Sequence, residues 1–339
     1  NIFMTICALS TGIGASGVAI IRISGSETSF LVKALTNKAL PKPREATLLE
    51  LNNIANSRPI DQGIVIWFPG PKSYTGEDMA ELHVHGSKAV VRELQNTILN
   101  TKRCRLAEPG EFTKLAFLNG KINLLQAEAI GDLIAAETEI QMEQAQNIIK
   151  GKSFLKFSEL REKLIKVLSK IEAKIDFPEE DLPFNVLDEV KNEVHIIEDE
   201  IKKILASYEV GERIRSGYKI AIVGPPNSGK STLMNYLSKR NVAIVSDVAG
   251  TTRDVLQTNL NFYGYPVIIS DTAGIRESKD VIEKEGIKLS FEKAEEADLR
   301  IVVIEPKNVD FYGFLNDLFN KNTILVINKS DLKKFDVKD

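Results

Sequence analysis

The sequence predicts a multidomain α/β protein, because three textures follow one another along its 339 residues. Residues 1–118 mix short β-like runs with turn residues, as in an α+β domain. Residues 119–215 carry apolar positions at spacings of three and four, as in a helical bundle. Residues 216–339 alternate β-rich runs with helical or loop segments, as in a doubly wound α/β sheet. Composition agrees: the chain is 37.7 kDa, 43% hydrophobic and 27% charged, enough to bury two or three ordinary cores.

Lys+Arg 44 against Asp+Glu 47 leaves a formal charge of -3, which excludes a global positive field for gripping a nucleic-acid backbone. Any RNA contact must be local or borrowed from a partner. Cys7 and Cys104 are too few for a disulfide framework; they read as inert thiols in a reducing, cytoplasmic setting. No apolar run approaches the roughly 20 residues that span a bilayer, so no membrane association is expected. The chain starts at Asn1, with Met4 as a candidate natural start.

In the first segment, VAIIRISG (Val18 to Gly25), GIVIWFPG (Gly63 to Gly70) and AELHVHG (Ala80 to Gly86) are predicted strands. Alternation in the last puts Leu82 and Val84 on one face and Glu81, His83 and His85 on the other, a polar face that is either solvated surface or a pocket. The histidines argue weakly for a metal, since only His195 remains elsewhere and it sits in a helix. In the second segment, Leu160, Leu164, Leu168, Ile171 and Ile175 form one stripe. Leu187, Val190, Val194, Ile197, Ile201 and Ile204 form another. DFPEEDLP (Asp176 to Pro183) separates the two helices, and an intramolecular bundle is favoured over a coiled coil of only about three heptads.

KIAIVG, VIISD, LRIVVIE and TILVINK are the predicted strands of the third segment. GPPNSGKS (Gly224 to Ser231) follows the first strand and opens a helix, the context that a phosphate-binding loop requires. Its glycines let backbone amides wrap phosphates. Asn227, Ser228, Gly229, Lys230, Ser231 and Thr232 are then candidate contacts, with Lys230 reaching the outer phosphates and Ser231 offering a hydroxyl to Mg²⁺. DTAG (Asp271, Thr272, Ala273, Gly274) places a carboxylate near the Mg²⁺ shell and the Gly274 amide near the last phosphate. In NKSD (Asn328 to Asp331), the Asp331 carboxylate can accept both N–H groups of guanine's Watson–Crick edge, which adenine cannot match. GTTRD (Gly250 to Asp254) lies where a switch loop offers a Thr hydroxyl to Mg²⁺. Four motifs in this order predict a GTP-hydrolysing domain. Ile275 follows DTAG where many regulatory GTPases carry a water-orienting Gln, so charge must be offset otherwise. The Asn227 carbonyl could hold a monovalent cation beside the phosphates; the alternative is that Asn227 only shapes the loop.

With these motifs in hand, nearly the whole chain resembles the MnmE or TrmE family of tRNA-modifying GTPases. The resemblance rests on VAIIRISG, YTGED (Tyr74 to Asp78), HVHG, PGEFTKLAFLNGKINLLQAEAIGDLI (Pro109 to Ile134), IEAKIDFPEED (Ile171 to Asp181) and the four nucleotide motifs. It implies an N-terminal domain (1–118) that dimerises and binds a tetrahydrofolate, a helical domain whose first half is 119–215, and a G domain (216–339) inserted into it. It further implies that, with the FAD protein MnmG, the protein installs an aminomethyl or carboxymethylaminomethyl group at C5 of the wobble uridine of certain tRNAs. The one-carbon donor would be 5-formyl- or 5,10-methylene-tetrahydrofolate. The family's folate contacts fall on Arg22, Glu81 and Lys121, its K⁺ ligands on Asn227, Ser246, Val248 and Thr251, and its Mg²⁺ ligands on Ser231 and Thr252. Its catalytic residues fall on Glu283, which orients the attacking water through another water, and on the phosphate-loop Lys230, and hydrolysis would follow K⁺-promoted pairing of G domains.

Two positions depart from the family pattern: Leu115 stands where an Arg is usual, and Asn123 where an Asp is usual. The family also continues with a further G-domain strand, a returning helix and a Cys-containing motif, so the chain is read as C-terminally incomplete. The competing readings are a ribosome-assembly or RNA-binding switch GTPase without one-carbon chemistry, and a degenerate paralogue.

Overall fold

The computed structural model describes residues 4–176, 186–225, 227–240, 242–243, 257–271, 294–306 and 320–331. Its contacts divide the chain into two compact units, Asn1–Glu128 and Ala129–Asp339.

The first unit contains β1 (Thr5–Leu9), β2 (Ser16–Ser24), α1 (Thr28–Thr36), β3 (Thr47–Asn52), β4 (Pro59–Phe68), β5 (Met79–Gly86), α2 (Lys88–Asn100), β6 (Cys104–Leu106) and α3 (Glu111–Leu118). The strands form one sheet in the order β3-β4-β5-β2-β1-β6, antiparallel except for the β1–β6 pair. The alternation in β5 holds: Leu82 and Val84 are buried, while Glu81 and His83 lie on the opposite face and are half-buried. The apolar face carries Ile21, Ile23, Leu51 and Val65, and packs on Leu31 and Leu35 of α1 and on Leu94 and Ile98 of α2. Full burial of such side chains stabilises by about 1.5–3 kcal/mol each, which fixes the sheet's register. Cys7 and Cys104 belong to this core, and a hydrogen bond with Cys7, together with burial, pushes the Cys104 thiol up.

Helix α4 (Leu124–Ala135) begins with reciprocal bonds: the Asn123 amide donates to Gln126 Oε1 at 3.0 Å and the Gln126 amide to Asn123 Oδ1 at 2.9 Å. Asn123 therefore caps the helix with the carbonyl oxygen that an Asp would offer as carboxylate. Leu115, the other departure, is buried in α3.

The second unit contains α5 (Glu139–Ile149), α6 (Lys152–Asp176), α7 (Val186–Ser216), β7 (Tyr218–Val223), α8 (Lys230–Arg240), β8 (Val242–Ala243), β9 (Gln257–Phe262), β10 (Tyr265–Asp271), β11 (Leu299–Ile304) and β12 (Thr323–Ile327). A capping box of Thr138 and Gln141 starts α5. Helices α6 and α7 meet along a seam of Leu160, Val167, Val190 and Ile197, flanked by Ile171 and Ile204. The expected stripes are thus only half used. Leu164, Leu168, Ile175, Leu187, Val194 and Ile201 stay exposed, and Val167, outside the stripe, is buried. In this pair the seam uses one position per heptad, Leu160 and Val167 against Val190 and Ile197, and the exposed apolar positions of the stripes face outward. Lys163–Glu200 (2.6 Å) and Lys170–Glu193 (2.8 Å) flank the seam.

Gly217 (φ +88) ends α7 in the left-handed conformation that caps helices, and β7 follows at once. The second sheet runs β12-β11-β7-β10-β9-β8, with β12, β11, β7 and β10 parallel and β9 antiparallel to β10. The four runs read from sequence are its parallel strands. Strand β9, not anticipated, is joined to β10 by Tyr263–Gly264, both at positive φ, the mirror-type turn of a tight hairpin.

Replacing the α4 cap tests this local reading. Asn123→Ala should cost about 1 kcal/mol of stability in urea unfolding, and Asn123→Asp should cost little.

Candidate functional site

Strand β7 is central, with β10 on one side and β11 on the other, so the chain's path reverses direction across the sheet at β7. The carboxyl edge at such a switch point is where open α/β sheets bind ligands. The loop after β7 runs against its neighbours. A Cβ on Gly224 would strike the Val303 carbonyl oxygen, and one on Gly229 (φ +98) would strike the Asn328 side-chain amide. Only glycine allows these approaches.

The loop is gripped from the NKSD side. Asn328 Nδ2 donates to the Ser228 carbonyl at 2.8 Å, and the Asn328 backbone amide donates to the Ile304 carbonyl at 2.8 Å. Lys329 Nζ donates to the Asn227 carbonyl at 2.8 Å and forms an ion pair with Glu305. Lys230 is 6% exposed, and its Nζ donates to the Gly224 and Pro225 carbonyls at 2.8 Å each, which holds the ammonium inside the curve of the loop. Ser231 and Thr232 are exposed on the first turn of α8, whose N-terminus carries partial positive charge. The arrangement can bind a polyphosphate and present a hydroxyl to a divalent cation.

Asp271 closes β10, in register with Ile222 of β7, and Asp331 is exposed two residues after Lys329. The structure therefore brings Asn227, Ser228, Gly229, Lys230, Ser231, Thr232, Asn328 and Lys329 to one strand edge. Thr272, Ala273, Gly274, Ser246, Val248, Thr251, Thr252 and Glu283 lie outside the described residues. Glu305 was missed by the sequence reading. Its signal was available: LRIVVIE ends an apolar strand on a carboxylate, at the same edge where the other strands carry their motifs.

A second cluster lies on the polar face of the first unit's sheet. Arg22 of β2 pairs with Glu81 of β5, its Nη2 and Nε lying 2.8 and 3.0 Å from Glu81 Oε1. The guanidinium is 5.6 Å from the ring centroids of both Tyr74 and Phe112, within cation–π range. His83 Nε2 is 3.4 Å from Glu81 Oε2. The YTGED loop is tied down by Thr75 to Ser24 (2.8 Å), by Tyr74 to Thr113 (2.9 Å) and by Asn119 Nδ2 to the Thr75 carbonyl (2.7 Å). Lys121 packs beside Gly76 of this loop and donates to the Pro71 carbonyl at 2.9 Å. Arg22 and Glu81 thus meet directly, and Lys121 joins them through the loop that carries Tyr74. Phe112 sits on α3, which Glu111 fastens to Arg105; a hydrogen bond from that guanidinium holds the Glu111 carboxyl below its usual range. A cation between two rings, beside a half-buried carboxylate, suits a ligand with an aromatic heterocycle and an acidic tail.

A glycine-dependent phosphate loop at the switch point, clamped by an NKSD motif, defines a P-loop GTPase. Residues 5–121 match the family "GTP-binding protein TrmE N-terminus", and residues 124–332 match "MnmE helical domain". The tRNA modification GTPase MnmE of Pelagibacter ubique is 62% identical over 98% of this chain and 75% of its own length. Those of Rickettsia bellii and Rickettsia akari are 46% and 45% identical, over 97% and 99% of this chain and 74% and 77% of theirs. The chain belongs to the MnmE family of tRNA modification GTPases, and it is a GTP hydrolase. Among the described residues no helix is long and apolar enough to cross a membrane.

The close approach at Gly229 yields a direct check. Gly229→Ala should displace Asn328 from the Ser228 carbonyl and weaken binding of a fluorescent GDP analogue at least about tenfold, with circular dichroism unchanged.

Proposed function

We propose that this chain modifies C5 of the wobble uridine of tRNA in the cytoplasm, adding an aminomethyl or carboxymethylaminomethyl group together with a MnmG-like FAD protein. The observation that carries this reading beyond GTP hydrolysis is the Arg22–Glu81 cluster between Tyr74 and Phe112 in a unit of the TrmE type. Arg22 fixes the Glu81 carboxylate at 2.8 Å, and Lys121 supplies a cation for a glutamate tail. Glu81 supplies the carboxylate that a pterin's N–H groups require, and the flanking rings supply apolar faces. When bound, the tetrahydrofolate supplies the one-carbon unit. The first unit is also the proposed dimerisation domain. With a net charge of -3, tRNA contact must come from local patches and the partner.

In the second unit, Lys230 and the α8 N-terminus hold the phosphates, Ser231 and Thr252 hold Mg²⁺, and Asp331 selects guanine. The Asn227 backbone carbonyl accepts from Lys329 Nζ, so Asn227 is assigned to K⁺ through its side-chain amide oxygen, with Ser246, Val248 and Thr251. Glu283 orients the attacking water. A cation at Asn227 would offset the charge that develops on the phosphates, the task left open by Ile275.

Titration of the whole chain with 5-formyltetrahydrofolate should show saturable binding, lost at least about tenfold in Arg22→Ala and Glu81→Ala. Absence of saturable binding would move the protein to the switch-GTPase class without one-carbon chemistry. Hydrolysis of GTP should be faster in K⁺ than in Na⁺, and Glu283→Ala should leave GTP binding intact while slowing turnover about 10²-fold or more. Equal rates in the two salts would remove Asn227 from its cation role.

A further inference from the structure

We infer that Glu305 is a positioning residue of the nucleotide site, acting through Lys329 on the carbonyl of Asn227. The inference rests on GTP binding alone and is independent of the folate and K⁺ readings. Glu305 is 6% exposed and immediately follows β11. That strand pairs on one side with β7, which runs into the phosphate loop, and on the other with β12, which runs into NKSD. A carboxylate at this point reaches both loops from the strand between them.

Lys329 is the intermediary. It sits at φ +57, its ammonium is shared between the Asn227 carbonyl and Glu305, and its side chain is 38% exposed. A lysine so placed has a flexible four-carbon stem and a strongly hydrated head, so left alone it would turn to water. A nearly buried carboxylate beside it reverses that preference, because the carboxylate itself needs a cation in a poorly solvated place. Asn227 gains most from the arrangement. Its left-handed backbone is one that Asn adopts more readily than most residues, and a fixed donor on its carbonyl holds it there. Next to it, the Ser228 carbonyl is held by Asn328, so two successive loop carbonyls are pinned from the NKSD loop. The phosphate loop is therefore held in its binding shape by the NKSD loop, and Glu305 keeps the Lys329–Asn227 contact in place.

A double-mutant cycle on the whole chain tests this, read as the dissociation constant of a fluorescent GDP analogue. Glu305→Gln should weaken binding about five- to tenfold, and Lys329→Met at least as much. The double variant should bind within about twofold of Lys329→Met, because the effect of Glu305 on the nucleotide runs through the lysine. Glu305→Asp, which restores the charge, should recover most of the affinity. The inference is overturned if Glu305→Gln changes the constant less than about twofold, if its effect persists in full beside Lys329→Met, or if Glu305→Asp is no better than Glu305→Gln. Circular dichroism without nucleotide checks folding; should Glu305→Gln fail to fold, Glu305→Met, apolar and of similar length, takes its place in the same cycle.

Discussion

The nucleotide site depends on one constraint, the close packing of the Gly224–Gly229 loop against the ends of β11 and β12. Val303 presses on Gly224, Asn328 presses on Gly229, and Asn328 and Lys329 bond the carbonyls of Ser228 and Asn227. Backbone amides can converge on a phosphate only if the loop's carbonyls are turned elsewhere and kept there. Here the carbonyls of Gly224, Pro225, Asn227 and Ser228 are all accepting from side chains. Because two of those side chains belong to the NKSD motif, the phosphate loop and the NKSD loop hold each other in place.

The first unit works by a division of faces. In β2 and β5 the residues facing α1 and α2 are Ile21, Ile23, Leu82 and Val84, and their burial sets the register. The same register then leaves no choice on the other face: Arg22 must lie opposite Glu81. A slip of one residue would expose the core and dissolve the cluster together, so the Arg22–Glu81 pairing is protected by the packing energy of residues on the opposite face.

Much of this was legible in the sequence because it is local. The face assignment of Glu81 and His83, the four parallel strands, the phosphate loop and the NKSD motif follow from periodicity and spacing over fewer than about ten residues each. Strand β9 was missed because its hairpin turn, Tyr263–Gly264, carries a bulky residue at a positive φ in place of the usual Asn or Asp. The helical stripes were visible, but which half of each would be buried was not. Leu164 and Leu160 look alike in sequence, and only the approach of α7 separates them. Asn123, read as a lost acid, turned out to cap α4 with its amide oxygen.

Sequence by itself determined the protein's class, since a phosphate loop in its strand–loop–helix context and a guanine motif state their chemistry through short-range covalent spacing. It also determined the family, through motifs spread along nearly the whole chain. The tertiary structure alone decided which side chains complete each site. Glu305 reaches Lys329, which in turn bonds Asn227, and Arg22 lies within cation–π range of Tyr74 and Phe112, contacts between residues far apart in the chain. Such pairings are set by sheet order and helix docking, which no local pattern encodes, because the energy that selects them is the burial of a whole core.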